Sequence, residues 1–116
     1  MIRKLIVAYS FLLCLPAFAQ SISIEQLLGE WIFTAYAEKS TPDQRNAVNA
    51  VFEFRTNGVL ITKMRDTEAE STWSLDGDTF RYSDPNGEQV WTVREFVPGE
   101  SIVMENSSTL MFLERR

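Results

Sequence analysis

The sequence contains no histidine and only one cysteine, Cys14, and this scarcity excludes several classes of function. Without histidine there can be no Ser-His-Asp triad, no Cys-His pair and no histidine-ligated metal centre. A lone cysteine cannot form a disulfide within the chain. Lysines and serines show no spacing typical of a Ser–Lys pair, and only carboxylate pairs across strands stay open as catalytic groups. We therefore expect a protein that is not an enzyme.

Glycine and proline are also few, at five and four of 116 residues, so the chain is neither collagen-like nor of low complexity. Its hydrophobic content of 45% is that of a globular protein, and its length fits one domain. The one long apolar run lies near the start of the chain. We assign this run to a signal peptide and not to the folded domain.

Residues 1–19 have the three-part pattern of a secretory signal peptide. The cationic pair Arg3-Lys4 precedes an apolar run over 5–15, which is shorter than the about 20 residues of a membrane span. The pattern Ala17-Phe18-Ala19 then places small side chains where a signal peptidase requires them. We predict cleavage after Ala19, a domain over 20–116, and a periplasmic or secreted bacterial protein.

Loss of the signal peptide would leave 9 cationic and 16 acidic residues, a formal net charge of −7. Such a charge argues against nucleic acid as a partner and against a membrane surface after cleavage. Cys14 would be lost as well, so no thiol remains for metal binding. The acidic turns, such as Asp76-Gly77-Asp78, are too short for a calcium loop. We expect neither a metal nor a cofactor.

A short helix is predicted directly after the signal peptide. Ser23 and Gln26 have the spacing of a capping box, Leu27 and Leu28 supply an apolar face, and Gly29 is suited to end the helix. A helix of one or two turns is not stable alone. We expect it to plug an opening in the rest of the fold.

From residue 30 onward the hydrophobic residues alternate with period two, which predicts β-strands. Eight strands are predicted, at 30–37, 51–55, 59–65, 71–75, 79–83, 90–97, 102–105 and 110–115. The polar segments 38–46 and 66–70 are predicted to be connections, of which 38–46 is the longest. Asn57-Gly58 predicts a type I′ hairpin turn.

The strands are separated by brief turns and not by helices, which argues against a parallel sheet. An open meander of eight antiparallel strands would leave two exposed edges. Closure into an up-and-down barrel removes both edges. The predicted fold class is therefore all-β, an antiparallel meander of about eight strands closed into a barrel with a short N-terminal helix. A two-sheet sandwich is the alternative.

The first strand opens with Gly29-Glu30-Trp31, and the last carries Arg115-Arg116. Phe52-Glu53-Phe54, Trp73 and Trp91 follow in an order and spacing that resemble the small lipocalin-like domains of exported bacterial proteins. The resemblance implies a lipocalin-like barrel closed at its base by Arg115 packed across the Trp31 indole, a structural role. Arg116 is the alternative to Arg115, because strand alternation lets only one of them face inward.

Aromatic side chains are the candidate ligand contacts. An eight-stranded barrel has room either for its own side chains or for one small ligand, so core packing is the other interpretation of these residues. The predicted contacts for a small apolar ligand at the open end are Phe33, Phe52, Phe54, Trp73, Phe80, Tyr82 and Trp91.

A second hypothesis is a protein-interaction module, such as an inhibitor or immunity-type protein acting on a partner in the bacterial envelope. Its contacts would lie in the loop 38–46 and in the acidic segment 66–70, because an acidic surface speeds association with a basic partner. This hypothesis predicts a filled barrel, whereas ligand binding requires a cavity.

Overall fold

The computed structural model describes residues 22–84 and 86–116. The predicted signal peptide, its cleavage site and Cys14 lie outside the described residues. The described part holds one short helix followed by eight strands. These are α1 (Ile24–Leu27), β1 (Gly29–Glu38), β2 (Asn46–Phe54), β3 (Val59–Met64), β4 (Thr67–Asp76), β5 (Thr79–Asp84), β6 (Gly87–Val97), β7 (Ser101–Glu105) and β8 (Thr109–Arg115).

Each strand pairs antiparallel with the next along the chain, and β8 pairs back onto β1. The first and last strands meet with Trp31 opposite Arg115 and Phe33 opposite Leu113. Closure leaves no edge strand at either end of the meander. The predicted all-β, up-and-down barrel is therefore confirmed, and the sandwich alternative is wrong.

Alternate residues of each strand fill the barrel. Its largest fully buried side chains come from the helix and from six of the strands, so one core runs through the molecule. They are Leu27, Trp31, Phe54, Leu60, Phe80, Ile102, Met104, Met111 and Leu113. Burial of this apolar surface is the main source of stability in a chain whose described part offers no cysteine.

The short helix packs at the base of the barrel, beside the start of β1. Its capping box has formed, with the Gln26 N–H donating to Ser23 Oγ at 3.3 Å and the Ser23 N–H donating to Gln26 Oε1 at 2.9 Å. Leu27 is fully buried, and its carbonyl accepts a hydrogen bond from Trp31 Nε1 at 2.8 Å. The helix is thereby fixed to the first strand.

Arg115, and not Arg116, lies over the Trp31 indole, with its guanidinium carbon 4.9 Å from the ring centroid. Arg115 Nη1 also donates to the Leu28 carbonyl at 2.7 Å, so one side chain ties the last strand to the helix. Gly29 lies against this guanidinium with a φ of +108°, and a Cβ there would come within 2.9 Å of Arg115 Nη2. The base requires glycine at this position.

Three strands begin three or more residues earlier than the alternation predicts, and all three extend toward the other end of the barrel, its mouth. β2 begins at Asn46 instead of 51, β4 at Thr67 instead of 71, and β6 at Gly87 instead of 90. The acidic segment 66–70 is therefore mostly strand, and its prediction as a connection is wrong. Side chains near the mouth meet water on both faces, so the apolar–polar alternation that marks a strand is absent there.

The turn at Asn57-Gly58 differs from the predicted type I′ hairpin. Gly58 has a φ of +78°, whereas type I′ also requires a positive φ at Asn57, which that residue does not have. The Gly58 N–H donates to the Arg55 carbonyl at 3.2 Å, and Asn57 Oδ1 accepts from the Val59 N–H at 3.3 Å. These bonds form a type I turn followed by a left-handed glycine.

Candidate functional site

A cavity of about 280 Å³ opens at the mouth, between the first five strands. Most of its wall is apolar, and most of its polar groups, including both carboxylates, lie on β4 and β5. The lining residues are Phe33, Ala50, Phe52, Thr62, Met64, Ala69, Glu70, Ser71, Tyr82 and Asp84. A concave, mainly apolar pocket with a few polar groups is the usual form of a small-molecule site.

Three aromatic rings form the deeper side of this cavity. The Phe33 and Phe52 centroids lie 5.6 Å apart at an interplanar angle of 63°, and the Phe52 and Tyr82 centroids lie 6.3 Å apart. Phe52 also contacts Phe54, edge to face at 6.1 Å, which connects the cavity to the core. These contacts restrain the rings, so the apolar wall is preorganised.

The barrel wall is incomplete beside the cavity. β4 and β5 pair only over Trp73–Asp76 and Thr79–Tyr82, and toward the mouth they separate. A second cavity of about 250 Å³ lies in this gap, lined by Glu70, Ser71, Thr72, Ser83 and Asp84. Because the two cavities share three lining residues, the gap gives the apolar pocket a lateral opening.

Carboxylates give the rim its charge. Asp84 is half-buried at the end of β5, where its Oδ1 accepts a hydrogen bond from the Asn86 N–H at 2.8 Å. Burial raises the pKa of the Tyr82 hydroxyl, and the negative charge of Asp84 raises that pKa further. Among the described residues that line the cavity, two carry a carboxylate and none carries a cation.

The structure brings Phe33, Phe52 and Tyr82 together around the cavity, and their contact with a ligand stays a prediction. The other four predicted contacts do not line it: Phe54, Trp73, Phe80 and Trp91 are buried in the core. Phe54 packs edge to face on Phe80 at 5.6 Å and on Trp73 at 5.5 Å. These rings occupy the part of the barrel that a deeper pocket would need.

The three tryptophans differ in their hydrogen bonds. Trp31 Nε1 donates to the Leu27 carbonyl, and Trp73 Nε1 donates to the Arg55 and Val59 carbonyls at 3.2 and 3.1 Å. Trp91 Nε1 is buried and finds no partner among the described residues. Trp31 and Trp73 are therefore fixed by polar contacts, whereas Trp91 is held by packing alone.

Sequence reasoning missed the part of the lining that is not aromatic: Ala50, Thr62, Met64, Ala69, Glu70, Ser71 and Asp84. Ala50 is buried at the level of Phe33 on the neighbouring strand, where its small side chain leaves space. A small residue paired with an aromatic residue on the neighbouring strand, such as Ala50 opposite Phe33, is a sequence signal that could have indicated a cavity. The separation of β4 from β5 depends on backbone pairing and leaves no such signal.

Over residues 22–84 and 86–116 no group of three or more acidic or cysteine side chains is arranged to hold a metal ion. Over the same ranges no helix has the length and hydropathy needed to cross a membrane.

Comparison with known proteins identifies the fold. No protein-family model and no curated protein matches the chain. A lipocalin-like protein from Bacteroides uniformis superposes with a TM-score of 0.66 at 17% identity, over 78% of this chain and 99% of that one. An uncharacterized protein from Bacteroides eggerthii superposes with a TM-score of 0.61 at 12% identity, over 77% and 98%. The chain therefore has a lipocalin-like fold, in agreement with the resemblance in its sequence.

Proposed function

We propose that this protein binds a small apolar ligand in the cavity at the mouth of its barrel and is not an enzyme. The observation that supports this proposal is the 280 Å³ cavity, bounded by Phe33, Phe52 and Tyr82 and open through the gap between β4 and β5. We further propose that it acts in the periplasm or outside the cell, after cleavage at Ala19.

The size of the cavity limits the ligand. If each non-hydrogen atom takes about the 30 Å³ of a water molecule, the space accepts roughly nine or ten such atoms. The pocket is at the small end of the range known for ligand sites. An alkyl chain of eight carbons or a single substituted ring is of this size, whereas haem or a long fatty acid is too large.

The protein-interaction alternative has less support. It required a filled barrel, and the barrel has a cavity. Its acidic contacts, Glu68 and Glu70, are exposed on β4, and Glu68 lies opposite Lys63 in the strand register.

The test is a titration of the purified protein with octan-1-ol, followed by calorimetry and thermal unfolding. Binding to the folded state alone stabilises it by about 1.4 kcal/mol when the ligand is tenfold above its Kd. For a domain of this size the expected rise in Tm is about 5 °C or more.

Ala69→Trp is the matched variant, because Ala69 lines the cavity at the exposed end of β4 and an indole there would fill it. Ala47→Trp is the control, since Ala47 is exposed on β2 and lies outside the lining. We expect Ala69→Trp to abolish binding and Ala47→Trp to preserve it. Absence of binding in the unaltered protein, or equal binding by both variants, would contradict the proposal.

A further inference from the structure

Most polar groups of the cavity, including both carboxylates, lie on β4 and β5, and Thr62 on β3 is the exception. Its apolar wall comes from β1, β2 and β3, through Phe33, Phe52 and Met64 among others, and its carboxylates lie on β4 and β5. A ligand that fills this space has an apolar body and one end at the gap between those two strands. The chemistry of that end determines which ligands are favoured.

We propose that the preferred ligand is a small amphipathic amine, bound with its ammonium group at the β4–β5 gap beside Asp84 and its apolar part against Phe33 and Phe52. This inference rests on the proposed function, because it assigns a ligand class to the same cavity. The cavity and its aromatic wall are the evidence for a ligand site, and the carboxylates in its lining favour an amine over other ligand classes.

Two interactions favour a cation at this end. A carboxylate forms charge-assisted hydrogen bonds with an ammonium group, and these are about twice as strong as neutral ones. Asp84 is half-buried, so its charge is less screened by water than that of an exposed aspartate. One of its oxygens accepts from Asn86, which fixes the carboxylate without neutralising it.

The rings add a second attraction. Phe52 and Tyr82 lie within the same lining as Asp84, and a cation near an aromatic face is attracted by the ring quadrupole. An anionic head group would instead meet Asp84 and Glu70 with no cation in the described lining to offset the repulsion. Fatty acids are therefore expected to be rejected by charge as well as by length.

One neighbouring hydroxyl suits the same head group. Ser71 lines both the cavity and the gap, as the two carboxylates do, whereas Thr72 and Ser83 line the gap alone. An ammonium group has three N–H donors and no acceptor, so it needs several oxygen partners when it leaves water. The gap supplies carboxylate and hydroxyl oxygens from two adjacent strands.

The experiment compares three probes with the same chain: octylammonium, octan-1-ol and octanoate, each titrated calorimetrically into the purified protein at pH 7. We expect octylammonium to bind about tenfold more tightly than octan-1-ol, and octanoate more weakly than either. Methylammonium, which has the head group without the chain, is expected not to bind.

Asp84→Asn is the matched variant, because asparagine keeps the size of the side chain and its oxygen can still accept from Asn86. It is expected to lose the preference for octylammonium, so that its Kd for octylammonium approaches its Kd for octan-1-ol. Asp76→Asn is the control, since Asp76 is exposed at the basal end of β4, away from both cavities. It should change none of the three affinities.

The outcomes separate the two proposals. Equal binding of all three probes would overturn the amine assignment and leave the apolar-ligand function standing. A preference for octylammonium that persists in Asp84→Asn, or that Asp76→Asn also removes, would overturn it too, because a general acidic surface would then be the cause. Binding of no probe would overturn both proposals.

Discussion

At the base of the barrel Trp31 is fully buried, and its indole N–H is bonded to Leu27. Two residues further along the same strand, Phe33 is half-buried beside an empty space of about 280 Å³. The base is closed by a helix and by Arg115. The mouth has neither, and β4 separates from β5 there. One end of the barrel thus stabilises the fold, while the other leaves apolar surface open at the cavity.

The comparison explains why similar residue types have different roles. An aromatic side chain at the base is surrounded by protein on every side, so its burial contributes to stability. At the mouth Phe33 and Tyr82 are only half-buried, and a ligand in the cavity would give their rings further contacts. Stability and affinity should therefore respond to different substitutions.

The largest effect is expected from Trp31→Ala. Removing a fully buried indole leaves a cavity and frees the Leu27 carbonyl, so the free energy of unfolding should fall by about 3–5 kcal/mol. Phe33→Ala should cost about 1 kcal/mol, because much of that ring already faces the open cavity. Urea denaturation of both variants measures the difference, and equal losses would contradict the division into two ends.

Gly29→Ala tests the base against a matched glycine near the mouth. Gly29 and Gly87 have φ values of +108° and +124°, so alanine is strained at both, by about 1–3 kcal/mol. Only at Gly29 would the new Cβ also meet Arg115, at 2.9 Å, whereas nothing lies within 4 Å at Gly87. We expect Gly29→Ala to be the more destabilising by about 1 kcal/mol, because the guanidinium must leave its position over Trp31. Thermal unfolding of the two variants measures the difference. A larger loss of stability in Gly87→Ala would contradict the expectation, because it would show that Arg115 moves away from the new Cβ without destabilising the fold.

The adjacent arginines give a smaller contrast. Arg115→Ala removes the contact with Trp31 and the bond to the Leu28 carbonyl, at a cost of about 1–2 kcal/mol. Arg116→Ala removes only an exposed ion pair with Glu30, at 3.5 Å, which is worth about 0.5 kcal/mol or less. Chemical denaturation of the two variants at low and high salt would check this order. Equal effects would mean that the stacked arginine adds nothing at the base.

The smallest effect concerns pH at the mouth. Burial, and then the charge of Asp84, raise the pKa of Tyr82 above its ordinary value of 10.0. The protonated phenol is thus favoured in the folded state, and this contribution to stability is present below pH 10 and lost as pH rises through the folded-state pKa. The variant Tyr82→Phe has no phenol to ionise, so its stability should not show this decrease at high pH. In Asp84→Asn the phenol pKa, measured by ultraviolet titration, should fall only in part, since burial is the larger cause; an unchanged pKa would place Asp84 away from the hydroxyl.

Much of the fold could be predicted from the sequence. The period of two from residue 30 onward, the capping box at Ser23 and the short turns predict a helix followed by an antiparallel barrel, which is what the chain forms. Strand ends at the mouth could not be placed, because residues 67–70 meet water and carry no apolar alternation.

The candidate site was harder to predict than the fold. Aromatic content selected seven rings: Phe33, Phe52 and Tyr82 line the cavity, whereas Phe54, Trp73, Phe80 and Trp91 pack in the core. Composition does not distinguish a ring that lines a space from one that fills it. That distinction depends on barrel tilt and on strand pairing across the closed sheet, which bring together residues distant in sequence.

The most direct test of a ligand site at the mouth is a map of backbone amide chemical shifts while octan-1-ol is added to the isotopically labelled protein. We expect saturable shifts at Phe33, Ala50, Ala69 and Tyr82, with the amides around Trp31 at the base unchanged. Shifts centred on the base or spread over the outer wall, or no saturable shifts at all, would contradict a ligand site at the mouth.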